Sequence, residues 1–267
     1  MLQNQSTTRG ATEKTAANLS NRPRIFADFI TSEREIREAQ RLRYEVFCEE
    51  YNVELPVNMV WNGHPIDIDE LDDHCLHLVV RTHDDMEIIG YTRVLTCDLA
   101  ARFGKYYSSH EFDIENVTNR QGRFLEIGRT CIHPDYRNGA TIAVLWAQLA
   151  KYMQENDYQY LFGCASVSLD DGGTMLAALM PVIREKHMAD SEFSVEPRVP
   201  LKVKETSCDA KPIFPPLLKA YMRMGARVCG EACWDPDFNV ADLFVLLDIN
   251  NVSARYAKHF LKPQQAA

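Results

Sequence analysis

No internal repeat runs through this sequence, no Cys-x-x-Cys pair occurs in it, and no stretch of about twenty uncharged apolar residues is present. The first absence excludes solenoids and propellers, whose units need neighbours to bury a core. The last excludes a membrane-spanning helix, so any membrane contact is expected to be peripheral. The eight cysteines, Cys48, Cys75, Cys97, Cys131, Cys164, Cys208, Cys229 and Cys233, are scattered without companion histidines at zinc spacing. They read as reduced intracellular thiols, and no metal site is expected. Residues 1–22 hold Ser, Thr, Asn and Gln but no apolar run able to form a signal-peptide core, so they read as a disordered tail on a cytoplasmic protein; 263–267 read as a second tail.

Positive charge is also scarce. Twenty-nine Lys and Arg against 38 Asp and Glu give a formal net charge of −9, which argues against wholesale nucleic-acid binding. What is present is an ordinary globular composition, 46% hydrophobic over 267 residues, enough to bury one large core.

From Thr31, Ile36, Ala39, Leu42, Val46 and Phe47 recur at three- and four-residue steps, predicting an amphipathic helix that ends near Cys48. Residues 51–74 lack periodicity and carry Asp67, Asp69, Glu70, Asp72 and Asp73, which reads as an acidic loop. Leu76 to Arg81 and Ile88 to Leu95 predict an antiparallel hairpin. Phe124 to Ile132 predicts a strand, followed by the turn His133-Pro134-Asp135-Tyr136-Arg137 and a helix whose apolar face is Ile142, Leu145, Trp146, Leu149 and Met153; Tyr160 to Val167 is the next strand. Residues 168–212 read as an insertion or lid containing a helix-like run from Met175 to Arg184. Leu217 to Met224 predicts a helix, Arg227 to Trp234 and Leu243 to Asp248 strands, and Ser253 to Lys262 a basic closing helix. One mixed α/β domain over 23–262 accounts for this order.

The strand, Pro-Asp-Tyr-Arg turn, helix and strand resemble the centre of the N-acetyltransferase-like fold, a splayed, mostly antiparallel sheet flanked by helices. Arg43-x-x-Val46-Phe47, Asp69-x-x-Asp72, Gly90-x-x-Arg93 and Glu126-Ile127-Gly128-Arg129 occur in the same order in acyl-homoserine-lactone synthases. The second half looks like the ornithine N-acyltransferases of bacterial ornithine-lipid synthesis. The matching segments are Leu125 to Arg129, Phe162 to Ser166, Leu217 to Tyr221, Asp235-x-Asp237-Phe238-Asn239-x-x-Asp242, and Arg255-Tyr256. The resemblance implies transfer of a 3-hydroxyacyl chain from acyl carrier protein to the α-amine of ornithine, giving a lyso-lipid, with no bound cofactor. Rivals are an N-acyl amino-acid synthase with another acceptor, a signal synthase that cyclises its product, and a non-catalytic lipid-surface protein.

Making an amide from a thioester requires a free amine, correct placement and donors for the developing oxyanion. Glu126 is expected as general base or amine anchor and Arg129 as the ion pair that orders the site. Strand alternation sets these two on opposite faces unless the strand is bulged. Arg43, Phe47, Asp69, Asp72, Arg93, Cys164 and Ser166 are expected to bind substrate. Asp69 and Asp72 either hold the acceptor's ammonium or pair with Arg43 and Arg93, whereas Asp67, Glu70 and Asp73 read as solvated. Cys164 and Ser166 allow an acyl-enzyme, but neither has a visible base, so direct transfer is expected. Coenzyme-A-dependent relatives hold pyrophosphate on a glycine-rich turn; here Ala140 and Ile142 stand at the glycine positions, with only Gly139 nearby, which favours a carrier protein as donor. Arg137, Lys151, Lys202 and Lys204 are candidates for docking that acidic carrier. Val252, Tyr256 and Phe260 beside Arg255, Lys258, His259 and Lys262 form a stripe that could touch lipid or pack on the core.

Overall fold

The computed structural model describes residues 24–50, 59–201 and 211–252. Strand β1 (Ile25–Ile30) leads into helix α1 (Glu33–Tyr44), where the Ser32 hydroxyl accepts a hydrogen bond from the Glu35 N–H and starts the helix. The first helix then widens into one π-helical turn, Glu45–Glu50. A small hairpin, β2 (Met59–Trp61) and β3 (His64–Ile66), precedes a 3-10 turn at Asp72–His74. The expected hairpin is β4 (Leu76–Thr82) and β5 (Ile88–Thr96), antiparallel. Helix α2 (Cys97–Phe103), a 3-10 turn at Tyr107–His110, strand β6 (Phe112–Asp113) and helix α3 (Glu115–Thr118) follow. The central unit is strand β7 (Phe124–Ile132), helix α4 (Ala140–Glu155) and strand β8 (Tyr160–Ser168). Helix α5 (Thr174–Lys186), strand β9 (Glu196–Pro197), helix α6 (Pro216–Met224) and strands β10 (Arg227–Val228), β11 (Cys233–Asp235) and β12 (Val240–Asp248) complete the described chain.

The main sheet runs β1-β4-β5-β7-β8-β12-β10, with β11 also paired to β12. Only β7 and β8 are parallel. Strand alternation divides the core. Leu78, Val80, Ile89, Val94, Leu125 and Ile127 face α4, α5 and α6, in one cluster with Leu145, Leu149, Leu179 and Leu218. On the opposite face, Val79, Tyr91 and Cys131 meet α1 through Ala39, Leu42 and Val46. Further along that face, Phe124, Phe162, Phe244 and Leu246 pack with Phe112, Ile114 and Val195. Within the 168–212 stretch, α5 sends Leu176, Leu179, Met180 and Ile183 into the main cluster.

Strand β1 is an addition to the sequence reading, and the expected single strand at 227–234 is two short pieces. No helix among the described residues is long and apolar enough to cross a membrane. The closing helix expected at Ser253 to Lys262, with Tyr256 and Phe260, lies outside the described residues.

Candidate active site

Between the two smaller clusters, the face opposite α4 carries polar side chains. Alternation puts Arg93 beside Tyr91 on β5, Glu126 beside Phe124 on β7, Cys164 and Ser166 beyond Phe162 on β8, and Asp242 before Phe244 on β12. Two backbone irregularities shape this face. Pairing of β7 with β8 ends at Glu126 and Phe162, although both strands continue for six more residues, so they diverge like a fork. Gly163 sits at the fork, where a Cβ would come within 2.5 Å of the Ile127 carbonyl oxygen; only glycine fits there without movement. The second irregularity is a bulge. Arg93 and Tyr91, two apart on β5, oppose Gly128 and Cys131, three apart on β7, and Arg129 adopts φ 51°. The bulge turns Arg129 onto the face of Glu126, resolving the conflict that alternation posed.

Three arginines and three aspartates occupy the α1 side. Arg43 donates to Asp67 at 2.8 Å and to Asp72 at 2.6 Å, and its side chain is 0% exposed. Arg93 pairs with Asp69 and, at 3.0 Å, with Asp72. Gln40 adds a 2.9 Å hydrogen bond to Asp72. Burial alone would raise the Asp72 carboxyl, but Arg43 and Arg93 hold it down to about 2. These side chains are sealed by one another, the ion-pair arrangement that the sequence reading left open beside substrate contact at Arg43, Asp72 and Arg93. Asp67, expected in a solvated loop, is likewise buried, because β3 ends at Ile66 and turns it beneath Arg43.

Arg129 sits above this network. Its Nε is 3.4 Å from Asp67 and its Nη2 is 3.6 Å from Asp69, and the buried Nε makes no hydrogen bond. The rings of Phe238, Tyr107 and Phe47 surround the guanidinium at 5.2, 5.6 and 6.0 Å. A planar cation held this way is poised to meet a carboxylate.

Glu126 is 3% exposed. Its carboxylate accepts the Tyr107 and Ser108 N–H groups, each at 2.7 Å, and the Ser108 hydroxyl. Burial pushes its pKa up and these three donors oppose the shift. These three hydrogen bonds tie the Tyr107–His110 turn to β7 through Glu126. That turn supplies the Tyr107 ring to Arg129 and brings Ser108 Oγ to 3.4 Å from Cys164 Sγ. Burial, followed by the charges of Glu111 and Asp242, raises the Cys164 thiol well above its ordinary value, so it is a thiol and not a ready nucleophile.

A second acidic group lies on the β12 side. Ser166 donates to Asp242 at 2.7 Å, and single oxygens of Glu111, Asp235 and Asp242 all lie within 4.8 Å of one another. Sequence reasoning missed Glu111 and gave Asp242 no role, although a carboxylate inside the apolar run Val240 to Leu247 was a visible signal. Tyr107 and Ser108 were missed because nothing local marks them, and Phe238 stood in a matching segment without a role assigned to it. Of the docking candidates, Arg137 forms a two-pronged pair with Glu50 at 2.6 Å, and Lys151 lies 3.8 Å from Glu155. Lys202 and Lys204 lie outside the described residues.

The Acetyltransferase (GNAT) domain family matches residues 42–147. An L-ornithine N(alpha)-acyltransferase of Rhodobacter capsulatus is 33% identical over 92% of this chain and 97% of its own length. The enzyme of the same name from Rhizobium meliloti is 33% identical over 85% and 80%. Among solved structures, FeeM, an N-acyl amino acid synthase from uncultured soil microbes, superposes with a TM-score of 0.50 at 11% identity, covering 90% of this chain and 95% of its own; this likeness is one of fold.

Proposed function

Since the chain belongs to the L-ornithine N(alpha)-acyltransferase family, we propose that it transfers a 3-hydroxyacyl chain from the thioester of acyl carrier protein to the α-amine of L-ornithine. The acceptor nitrogen, freed of its extra proton, attacks the thioester carbonyl. The C–N bond forms, the C–S bond breaks, and the carrier's thiol leaves with a proton, so that one amide and one free thiol replace amine and thioester.

The observation that carries this reading is the fork beyond Glu126 and Phe162. Two diverging strands expose backbone groups to which the amides of a pantetheine arm can hydrogen-bond as an added strand does. Above Gly128, where an added Cβ would meet nothing within 4 Å, there is room for the thioester. Arg129 stands beside it, a cation of a kind suited to the acceptor's α-carboxylate. Ala140 and Ile142 in place of turn glycines favour a carrier protein over coenzyme A. The raised Cys164 thiol supports direct transfer.

Mass spectrometry of products from the purified protein, 3-hydroxyacyl carrier protein and an amino-acid pool tests the reading, with acyl-coenzyme A as a parallel donor. N-acylornithine from the carrier protein is the expected product. N-acylglycine or N-acyllysine would move the acceptor, a preference for coenzyme A would move the donor, and no product from either donor would remove the enzyme.

A further inference from the structure

The two charged groups on the active face differ in balance. On the α1 side, Arg43, Arg93 and Arg129 answer Asp67, Asp69 and Asp72. On the β12 side, Glu111, Asp235 and Asp242 crowd together, and among the described residues no Lys, Arg or His forms an ion pair with any of them. Glu111 is 9% exposed and its Oε2 is sealed from solvent with no hydrogen-bond partner. Ser166 donates to one oxygen of Asp242, and Glu111 and Asp242 share a hydrogen bond, so among the described residues no side-chain cation pairs with the group. Burial, then the charge of Asp242, pushes the Glu111 carboxyl upward, while burial and the charge of Asp235 raise Asp242 against a hydrogen bond shared with Glu111. An unpaired buried acceptor beside a second carboxylate is costly unless a proton or a cation completes it, and a bound ammonium supplies both charge and donors.

We propose that Glu111, Asp242 and Asp235 form the subsite for the acceptor's side-chain ammonium, and so select a cationic amino acid over an uncharged one of the same length. This rests on the reading that the protein acylates an amino-acid amine. Placement supports it: Asp242 lies opposite Ser166 in the β8–β12 ladder, and Ser166 lies on the arm of the fork that diverges from β7. Arg129 is close enough for its charge to act on Asp242. The proposal sets a zwitterion with a second ammonium between the two, carboxylate toward Arg129 and side-chain amine toward the acids. The α-amine is then left facing the fork. Three donor N–H groups of an ammonium can meet the free Glu111 oxygen and its neighbours together.

The experiment compares kcat/KM for ornithine and for norvaline, which lacks the δ-amine, in the wild type and in Glu111→Gln and Asp242→Asn, with folding followed by circular dichroism. Expected is a wild-type preference for ornithine of 100-fold or more, falling at least tenfold in each variant, chiefly through KM for ornithine. Equal losses for both acceptors in folded variants would overturn the subsite and leave the acyltransferase reading intact. Wild-type protein that acylates no amino acid would instead overturn that underlying reading. A divalent metal is the rival cation: loss of activity in EDTA with recovery on added Mg²⁺ or Mn²⁺ would assign the acids to it and overturn the proposal.

Discussion

Glu126 and Arg129 of β7 meet through Tyr107: the tyrosine N–H donates to Glu126 at 2.7 Å while its ring stands 5.6 Å from the Arg129 guanidinium. Glu126 thus sets the height of one wall of the arginine's cage, and its removal should damage the site by releasing that wall. Glu126→Ala leaves two N–H groups and a hydroxyl without their acceptor, for a loss of about 2–3 kcal/mol in urea denaturation. Activity falls with it, but the acidic limb of the kcat/KM profile should keep its wild-type midpoint. A variant of unchanged stability that has lost that limb would establish Glu126 as the base.

Asp72 offers a test of the network. Removing one partner from a buried ionic network costs about 3–5 kcal/mol, and Asp72→Asn should show a loss of that order. The pH dependence has a definite sign. The folded-state carboxyl, held at about 2, lies below the ordinary carboxylate value, so its contribution is present above that value and disappears as pH falls toward 2. Thermal melts of the wild type should lose stability across this acid window, and those of Asp72→Asn should lose less. Parallel acid limbs in the two proteins would contradict the assignment.

This network also marks how far the sequence could be read. Arg43, Asp69, Asp72 and Arg93 were identifiable from their spacing, and the ion-pair alternative was open from the start. What periodicity could not supply is which acid lies underneath: Asp67 is buried against Arg43 while Glu70 and Asp73 are exposed, a difference set by tertiary pairing. The Glu126–Arg129 conflict was legible as a conflict, and its resolution needed a bulge that no residue type announces. The hairpin, β7, α4 and β8 were plain because their apolar periods are long. Strand β1, six residues beside a polar tail, had too short a pattern to stand out.

Direct transfer predicts that Cys164→Ala and Ser166→Ala remain catalytic, each keeping kcat within about tenfold of wild type, a change of about 1.4 kcal/mol in barrier at most. Intact-protein mass spectrometry during turnover should show no acyl adduct. An adduct that vanishes specifically in Cys164→Ala would establish a covalent intermediate.

The fork can be tested at its root. In Gly163→Ala, the new methyl group would press on the Ile127 carbonyl oxygen, from a starting separation of 2.5 Å, and must push β7 and β8 apart. Because the clash is with backbone, the adjustment reaches the thioester position; kcat/KM should drop by about 10²-fold, the scale of a 1 Å misplacement. Near-native kinetics in this variant would mean that strand separation at the fork is not tightly set.

The three acids beneath Arg129 come from one short segment, 67–72, whereas the arginines come from α1, β5 and β7. Such a clasp cannot close until pairing partners up to sixty-two positions apart in sequence have been brought together, from Asp67 to Arg129. Its formation therefore belongs to the late, long-range part of folding. Until β7 is in place, Arg129 has neither Asp67 beneath it nor Phe238 beside it, so the complete centre requires the assembled sheet.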